Sequence, residues 1–424
     1  MSDARAANQA QGSHVVDPMT NQDRPAARTG AQPDRRVLVR RLWATALCAL
    51  CVHLAVVAVK TVTHPSHSPL AVFRVGELIS GRAEPARDRP PFVYEQGFPL
   101  EHGRFGTDGQ AYLIVAHDPL LRRRDMVRYI DAPSYRYGRI LLPALSAATC
   151  LGGSACIPYA ILGWNLVFAA MVGGVAALLV CERGAHWGWG LVIACSGALV
   201  CATDIATTEV CAQACGLWGV WLASRGRLWP AVAAFAAAAL GRETYALVPA
   251  GFAAAAALEH RWREASAFAA AAVPAVAWMQ YVRPRTWLQG VEGGGGVNLG
   301  PPFGGMIALV RDFAAHPAIT GSTLIALAVA VPLIIAMARH LCALGRDRSG
   351  LALSGALFVA LGVVVVDAVW ARPGGFARGL DFLYPSMILC SLVRGDRFVY
   401  VLGASTLLHS LNVVFDHVLV GAPP

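Results

Sequence analysis

Polar and apolar positions along this chain fall into blocks rather than alternating. Residues 1–36 are polar, rich in Ala, Gln, Asp, Arg and Pro, and have no apolar period, so they read as a disordered cytoplasmic tail. The first apolar run, Leu42–Val59, follows Arg35, Arg36, Arg40 and Arg41 and precedes a long polar stretch from Lys60 to about Tyr137. Further apolar runs lie at Pro158–Val180, Gly188–Thr203, Val210–Ala223, Leu228–Leu240, Tyr245–Leu258 and Ala265–Val282. The last four are Ile319–Ala338, Leu351–Trp370, Leu380–Val393 and Phe398–Phe415, bringing the total to about eleven helices. A full crossing needs roughly 20 residues, and several runs are shorter, notably those flanking Gly241–Thr244. The pattern predicts an all-α fold: a polytopic transmembrane helix bundle over residues 37–424, with 60–137 as a large first outer loop carrying short juxtamembrane helices. A cleavable signal peptide does not fit, because the first run starts far from Met1 and no small-residue cleavage site follows Lys60.

Arginine placement gives the expected orientation. With the N-terminus inside, the cytoplasmic segments hold fourteen arginines, from Arg35 to Arg397. The opposite short loops hold six: Arg242, Arg283, Arg285, Arg311, Arg372 and Arg378. This is the positive-inside bias, and long loops such as 60–137 translocate regardless of charge. The bundle is therefore read as N-in and, with an odd number of spans, C-out.

Composition narrows the class. Charged residues make up 14% of the chain, apolar residues 56%, and mean hydropathy is +0.51, against about 25% charged residues in soluble domains. This excludes a disordered protein, a disulfide-stapled secreted domain and an ordinary cytosolic enzyme. The net charge of +9 fits arginine-loaded loops, so no nucleic-acid partner is expected. Of 35 basic residues only Lys60 is a lysine. Most of the eleven cysteines lie in apolar runs, where Cys behaves as a small hydrophobe. Cys150 and Cys156 flank a Gly-Gly turn and can pair if that turn faces an oxidising compartment, although spacing alone does not fix the Cα separation. Neither a P-loop nor a dinucleotide fingerprint is present, and Gly293–Gly296 reads as a flexible loop.

Candidate chemistry concentrates in the first outer loop. Gly106-Thr107-Asp108-Gly109-Gln110-Ala111-Tyr112 opens a segment with Tyr112, Val115 and Ala116 at helical spacing, predicting a short amphipathic helix at the membrane surface. A second block, Asp131 to Pro143, places Tyr135, Arg136, Tyr137 and Arg139 where the chain re-enters the membrane. Asp108 and Asp131 also fit helix N-caps, and the aromatics fit interface anchors. Arg242 and Glu243 read as an ion pair between two short apolar spans, where a charged residue costs about 2.5–3.5 kcal/mol; an interfacial turn with a snorkelling arginine is the alternative. Asp204 and Glu209 could bind a divalent cation or an acceptor sugar, with N-capping of the next helix the preferred reading. Asp118 is a further carboxylate of the first loop. His102, His117, His186, His260 and His340 lack a partner at i+4, so zinc is not expected. Trp229, Trp262 and Trp287 fit an interfacial belt.

The wording Asp108-Gly109-Gln110-x-Tyr112-x-x-x-Ala116, then Asp131-x-Pro133-x-Tyr135-Arg136-x-x-Arg139-Ile140-Leu141-x-Pro143, resembles the GT-C superfamily. These are membrane glycosyltransferases that use polyprenyl-phosphate sugars. Within the superfamily the wording is similar to a bacterial family linked to cell-surface glycopolymer formation. The motifs cover residues 106–143; the remaining likeness is topological.

The resemblance implies a bacterial inner-membrane enzyme with its active site facing the periplasm. It implies Asp108 as the general base of an inverting sugar transfer to a cell-envelope glycan or lipid acceptor. Tyr112, Asp131, Tyr135, Arg136, Arg139, Arg242, Glu243 and Arg378 are the candidate substrate-binding residues, with the arginines facing the leaving phosphate. The implied partners are a polyprenyl-phosphate-linked sugar donor, the acceptor and membrane lipids; a divalent cation is the one cofactor left open. The superfamily commonly has two adjacent acids at this loop position, whereas here Gly109 follows Asp108, leaving Asp118 or Asp131 as the second acid if one is needed. A flippase of lipid-linked sugars and a non-catalytic member of a glycan-assembly complex are the alternatives.

Overall fold

The computed structural model describes residues 35–77, 89–101, 106–286, 299–315, 321–365, 370 and 378–415. His102, Trp287, Gly293–Gly296 and Arg372 lie outside them. In chain order the first helices are α1 (Arg35–Thr63), α2 (Pro91–Glu95), α3 (Asp108–His117), α4 (Pro133–Gly138), α5 (Leu141–Thr149) and α6 (Ile157–Glu182). Next come α7 (Gly188–Ala194), α8 (Gly197–Asp204), α9 (Glu209–Ser224), α10 (Leu228–Gly241), α11 (Leu247–Leu258) and α12 (Trp262–Ala270). The remainder are α13 (Val273–Thr286), α14 (Gly304–Ala315), α15 (Gly321–Ala343), α16 (Gly350–Val364), α17 (Leu383–Arg394) and α18 (Phe398–Val413). Among the described residues the only sheet is a two-residue parallel pair, Val75–Gly76 against Leu100–Glu101.

Among the described residues four stretches are long and apolar enough to cross a membrane: Arg35–Thr63, Ser154–Glu182, Trp262–Thr286 and Leu324–Ala343. α10, α16, α17 and α18 are apolar but shorter, as is the stretch Glu243–Leu258. Buried positions on α1 (Thr45, Ala46, Ala49, His53, Val56, Val57 and Lys60) recur at three- and four-residue steps, forming one stripe. Small residues let that stripe approach α6 closely: a Cβ on Gly173 would meet Ala49 Cβ and the Thr45 carbonyl oxygen, each at 2.9 Å. Tight backbone approach of this kind is how helices pack where water supplies no driving force.

Three of the expected spans are interrupted or cut short. The run Gly188–Thr203 divides at Cys195–Ser196 into α7 and α8, and neighbouring helices satisfy the carbonyls freed there. His53 Nε2 of α1 lies 3.0 Å from Ala194 O, and Ser410 of α18 donates to Cys195 O at 2.6 Å. The run Ala265–Val282 breaks between α12 and α13, where Pro274 supplies no backbone N–H. The run Leu351–Trp370 leaves helix at Val364, and Val365 forms an isolated bridge with Leu299. Cys150 and Cys156 form a disulfide across the α5–α6 turn, with Cα atoms 5.6 Å apart.

Candidate functional site

α3 is the first wall of the site. Ala111 to Ala116 are all buried, which corrects the expected amphipathic surface helix. A segment reading Ala-Tyr-Leu-Ile-Val-Ala has no polar face to turn toward water, so it inserts among its neighbours. Asp108 is its first residue, where the helix dipole favours a carboxylate. Its side chain points to arginines. Gly109 explains why no second acid follows it. A Cβ at 109 would lie 2.1 Å from the carbonyl oxygen of Ile205, so the start of α3 is pressed against the α8–α9 turn and no side chain fits there. That turn carries Ala206 in the left-handed region (φ 51°), a conformation costing roughly 1–2 kcal/mol outside glycine.

Around Asp108 the charged side chains form two groups, linked where the Arg136 guanidinium lies 5.4 Å from the Tyr135 ring centroid. Arg136 of α4 pairs with Asp108 at 2.9 Å and grips Asp131 through two hydrogen bonds, at 3.0 and 2.9 Å. Arg378 donates to the other Asp108 oxygen at 2.6 Å and to Glu209 through Nε (3.2 Å) and Nη2 (2.9 Å). Glu209, the first residue of α9, also meets Arg242 at 2.9 Å. Arg242 lies 3.9 Å from Asp381, which accepts a hydrogen bond from Tyr245 at 3.0 Å. In the second group, Arg139 forms a fork to Glu243 (2.9 and 2.6 Å), donates to the Tyr112 hydroxyl at 3.1 Å and bonds the Tyr135 hydroxyl. Its guanidinium also lies 4.1 Å from the Tyr135 ring centroid, a cation–π contact.

The site has a dry floor and a wetter rim. The Glu209 side chain is 0% exposed and that of Arg139 2%, whereas Asp108 is 30% exposed and Glu243 45%. Charges this deep are tolerated only because each has oppositely charged partners. An open apolar groove of about 780 Å³ is lined by Pro119, Ile140, Ala144, Leu240, Trp278 and Tyr281 among others. Ile140 directly follows Arg139, and Leu240 stands two residues before Arg242, so groove and charges share their supporting backbone.

All nine residues selected from sequence fall in or directly on this network, but several expected roles change. Arg242 and Glu243 do not form the expected pair with each other. The extended backbone at Arg242 (φ −161°, ψ 127°) sends successive side chains to opposite sides, one to Glu209 and the other to Arg139. Glu209 is a bridge between arginines rather than a cap, and Asp204 pairs with Lys60 at 3.2 Å. Asp118 stands apart from the network: it accepts from the backbone N–H groups of Arg122 and Arg123 at 2.9 and 2.6 Å, fixing the turn after α3. Sequence reasoning passed over Asp381 and Tyr245. The available signal was a lone acid at the head of the apolar run Leu380–Val393, since an intramembrane carboxylate marks function by default.

Burial raises the Asp108 pKa, but Arg136 and Arg378 outweigh it and hold the carboxyl well below the usual carboxylate range. Burial likewise opposes ionisation of Glu243, while Arg139 brings it down to about 2. Both are carboxylates at neutral pH. Among the described residues no group of three or more His, Cys, Asp or Glu is placed to hold a metal ion; Asp204 and Glu209 take cationic side chains as partners. Comparison with family models, curated proteins and solved structures finds no match to the chain. The geometry defines a mostly helical protein with membrane-length apolar helices and a partly exposed carboxylate clasped by arginines.

Proposed function

We propose that the chain is a membrane glycosyltransferase of the GT-C kind. It moves a sugar from a polyprenyl-phosphate donor to a cell-envelope glycan or lipid acceptor, with inversion. The observation that carries this reading is Asp108 at the rim, set between Arg136 and Arg378. The groove suits a prenyl chain, the guanidinium groups suit its phosphate, and the carboxylate suits an acceptor hydroxyl. In the transfer, Asp108 accepts the hydroxyl proton as the acceptor oxygen bonds to the anomeric carbon. The bond from that carbon to the phosphate oxygen breaks, and the lipid phosphate leaves with the electron pair, its charge met by arginine. One carboxylate suffices because the leaving group needs no protonation, unlike the two-carboxylate hydrolysis of glycosides.

The Cys150–Cys156 disulfide, closing the turn that follows the groove helix α5, supports placing this side in an oxidising compartment, with the N-terminus in the bacterial cytoplasm. The test uses purified protein in detergent and radiolabelled polyprenyl-phosphate sugars. The expected outcome is transfer by the native chain and a loss of about 10²–10⁴-fold in Asp108→Asn, with the variant still inserted and folded. Undiminished transfer in that variant removes Asp108 from the chemistry. Glycan analysis of a strain lacking the protein identifies the missing sugar.

A further inference from the structure

We propose that Arg378 is an exchange cation: Asp108 holds it in the arrangement seen here, and an anionic phosphate headgroup takes it over, freeing Asp108 to accept a proton. The inference rests on the transferase reading and adds an order to it, with the phosphate-bearing substrate arriving before the base is released.

Each guanidinium on Asp108 reaches it through one Nη2 contact and holds a second carboxylate through Nε and Nη2, and Arg378 is the more exposed of the two, 15% against 9%. Arg136 stays bound to Asp131 through two parallel hydrogen bonds, and its side chain is almost fully buried. Arg378 meets Asp108 through Nη2, and its Nε and Nη2 both reach the fully buried Glu209. Glu209 is in turn fixed by Arg242. Arg378 can therefore turn about its Glu209 anchor, giving up one contact and keeping the other. The contact it gives up lies at the rim, where Asp108 is 30% exposed and a phosphate oxygen can compete for the same N–H.

A carboxylate with a cation on each oxygen is a weak proton acceptor, and removing one cation restores its basicity. The phosphate that will leave thus also switches on the group that drives the attack. Glu209 is the positioning residue of this exchange: it keeps Arg378 within reach of both anions. Donor-free site chemistry, such as hydroxyl activation with no sugar to attack, is suppressed for the same reason.

The test is a binding measurement, independent of transfer, using farnesyl phosphate and inorganic phosphate as separate probes of the purified full-length protein. Asp108 competes with phosphate for Arg378, so Asp108→Asn should bind both probes about tenfold more tightly, and Asp108→Asn/Arg378→Ala should lose that gain. Asp108→Ser should tighten binding in the same sense, which guards against a peculiarity of the Asn variant; thermal melting without probe confirms that each variant is folded. Unchanged or weaker binding in folded Asp108→Asn and Asp108→Ser overturns the exchange. So does a gain that survives loss of Arg378, or one confined to farnesyl phosphate, which would place it in the chain rather than the headgroup. Native protein that binds neither probe overturns the transferase reading as well, whereas native binding without the gain overturns the exchange alone.

Discussion

Lys60 is the one lysine among 35 basic residues, and its ammonium lies 3.2 Å from Asp204 with both side chains shut away from solvent. Removing one partner of a buried ion pair leaves an uncompensated charge, which costs about 3–5 kcal/mol. Lys60→Ala is therefore expected to destabilise the protein by roughly 3 kcal/mol, read as a lowered thermal midpoint in detergent. Lys60→Ala/Asp204→Ala should regain much of the loss, and equal destabilisation by both would show that the pair itself is not the cause. Sequence supplied the acid but not its partner. Asp204 at a helix end has the local signature of a cap, and nothing local brings position 60 of α1 beside it. The same limit hid the role of Glu209, whose two arginine partners lie 33 and 169 residues further along the chain. Asp108, Asp131, Arg136 and Arg139 were legible because a single loop carries them all.

The elements that build the site are short and broken. α3 starts against the Ile205 carbonyl, α4 spans six residues, and an extended arginine separates α10 from the turn that leads into α11. A methyl group at position 109 meets backbone, which cannot rotate away as a flexible side chain would. Gly109→Ala is expected to displace the start of α3, and Asp108 with it, reducing transfer at least as much as Asp108→Asn; activity within about twofold of native would contradict that contact. Long uninterrupted runs were readable from hydropathy: α1, α6 and α15 lie where their apolar stretches predicted them. The division of Gly188–Thr203 was not readable, because its cause is tertiary: His53 and Ser410 from other helices satisfy the carbonyls that a continuous helix would have used. α3 departs from its expected surface position for a related reason. Tyr112, Val115 and Ala116 share one face, but the residues between them are equally apolar, and that decides for burial rather than for lying on a surface.

At the scale of the whole molecule, the network ties residues 108–139 to α9, to the α10–α11 junction and to the residues preceding α17, regions up to 270 residues apart in the chain. Its pH response should therefore appear in global stability. Asp108 and Glu243 titrate below their ordinary values of 3.8 and 4.5 in the folded chain, so the unfolded state binds more protons as the solution is acidified. Their contribution is complete above the higher of those values and is lost as pH falls, for Glu243 through about 2. Thermal midpoints should be insensitive to these two groups from about pH 8 to 5.5 and fall below about pH 4.5. Asp108→Asn/Glu243→Gln should flatten that acid limb; an unaltered limb would assign it to other carboxylates. The buried lysine has one more consequence. A protease that cuts only after lysine has a single target bond in these 424 residues, and folding hides that side chain where α1 packs beside Asp204 of α8. Clean scission into two fragments would thus mark molecules in which the first helix has come away, making the native sequence its own gauge of opening without any introduced label.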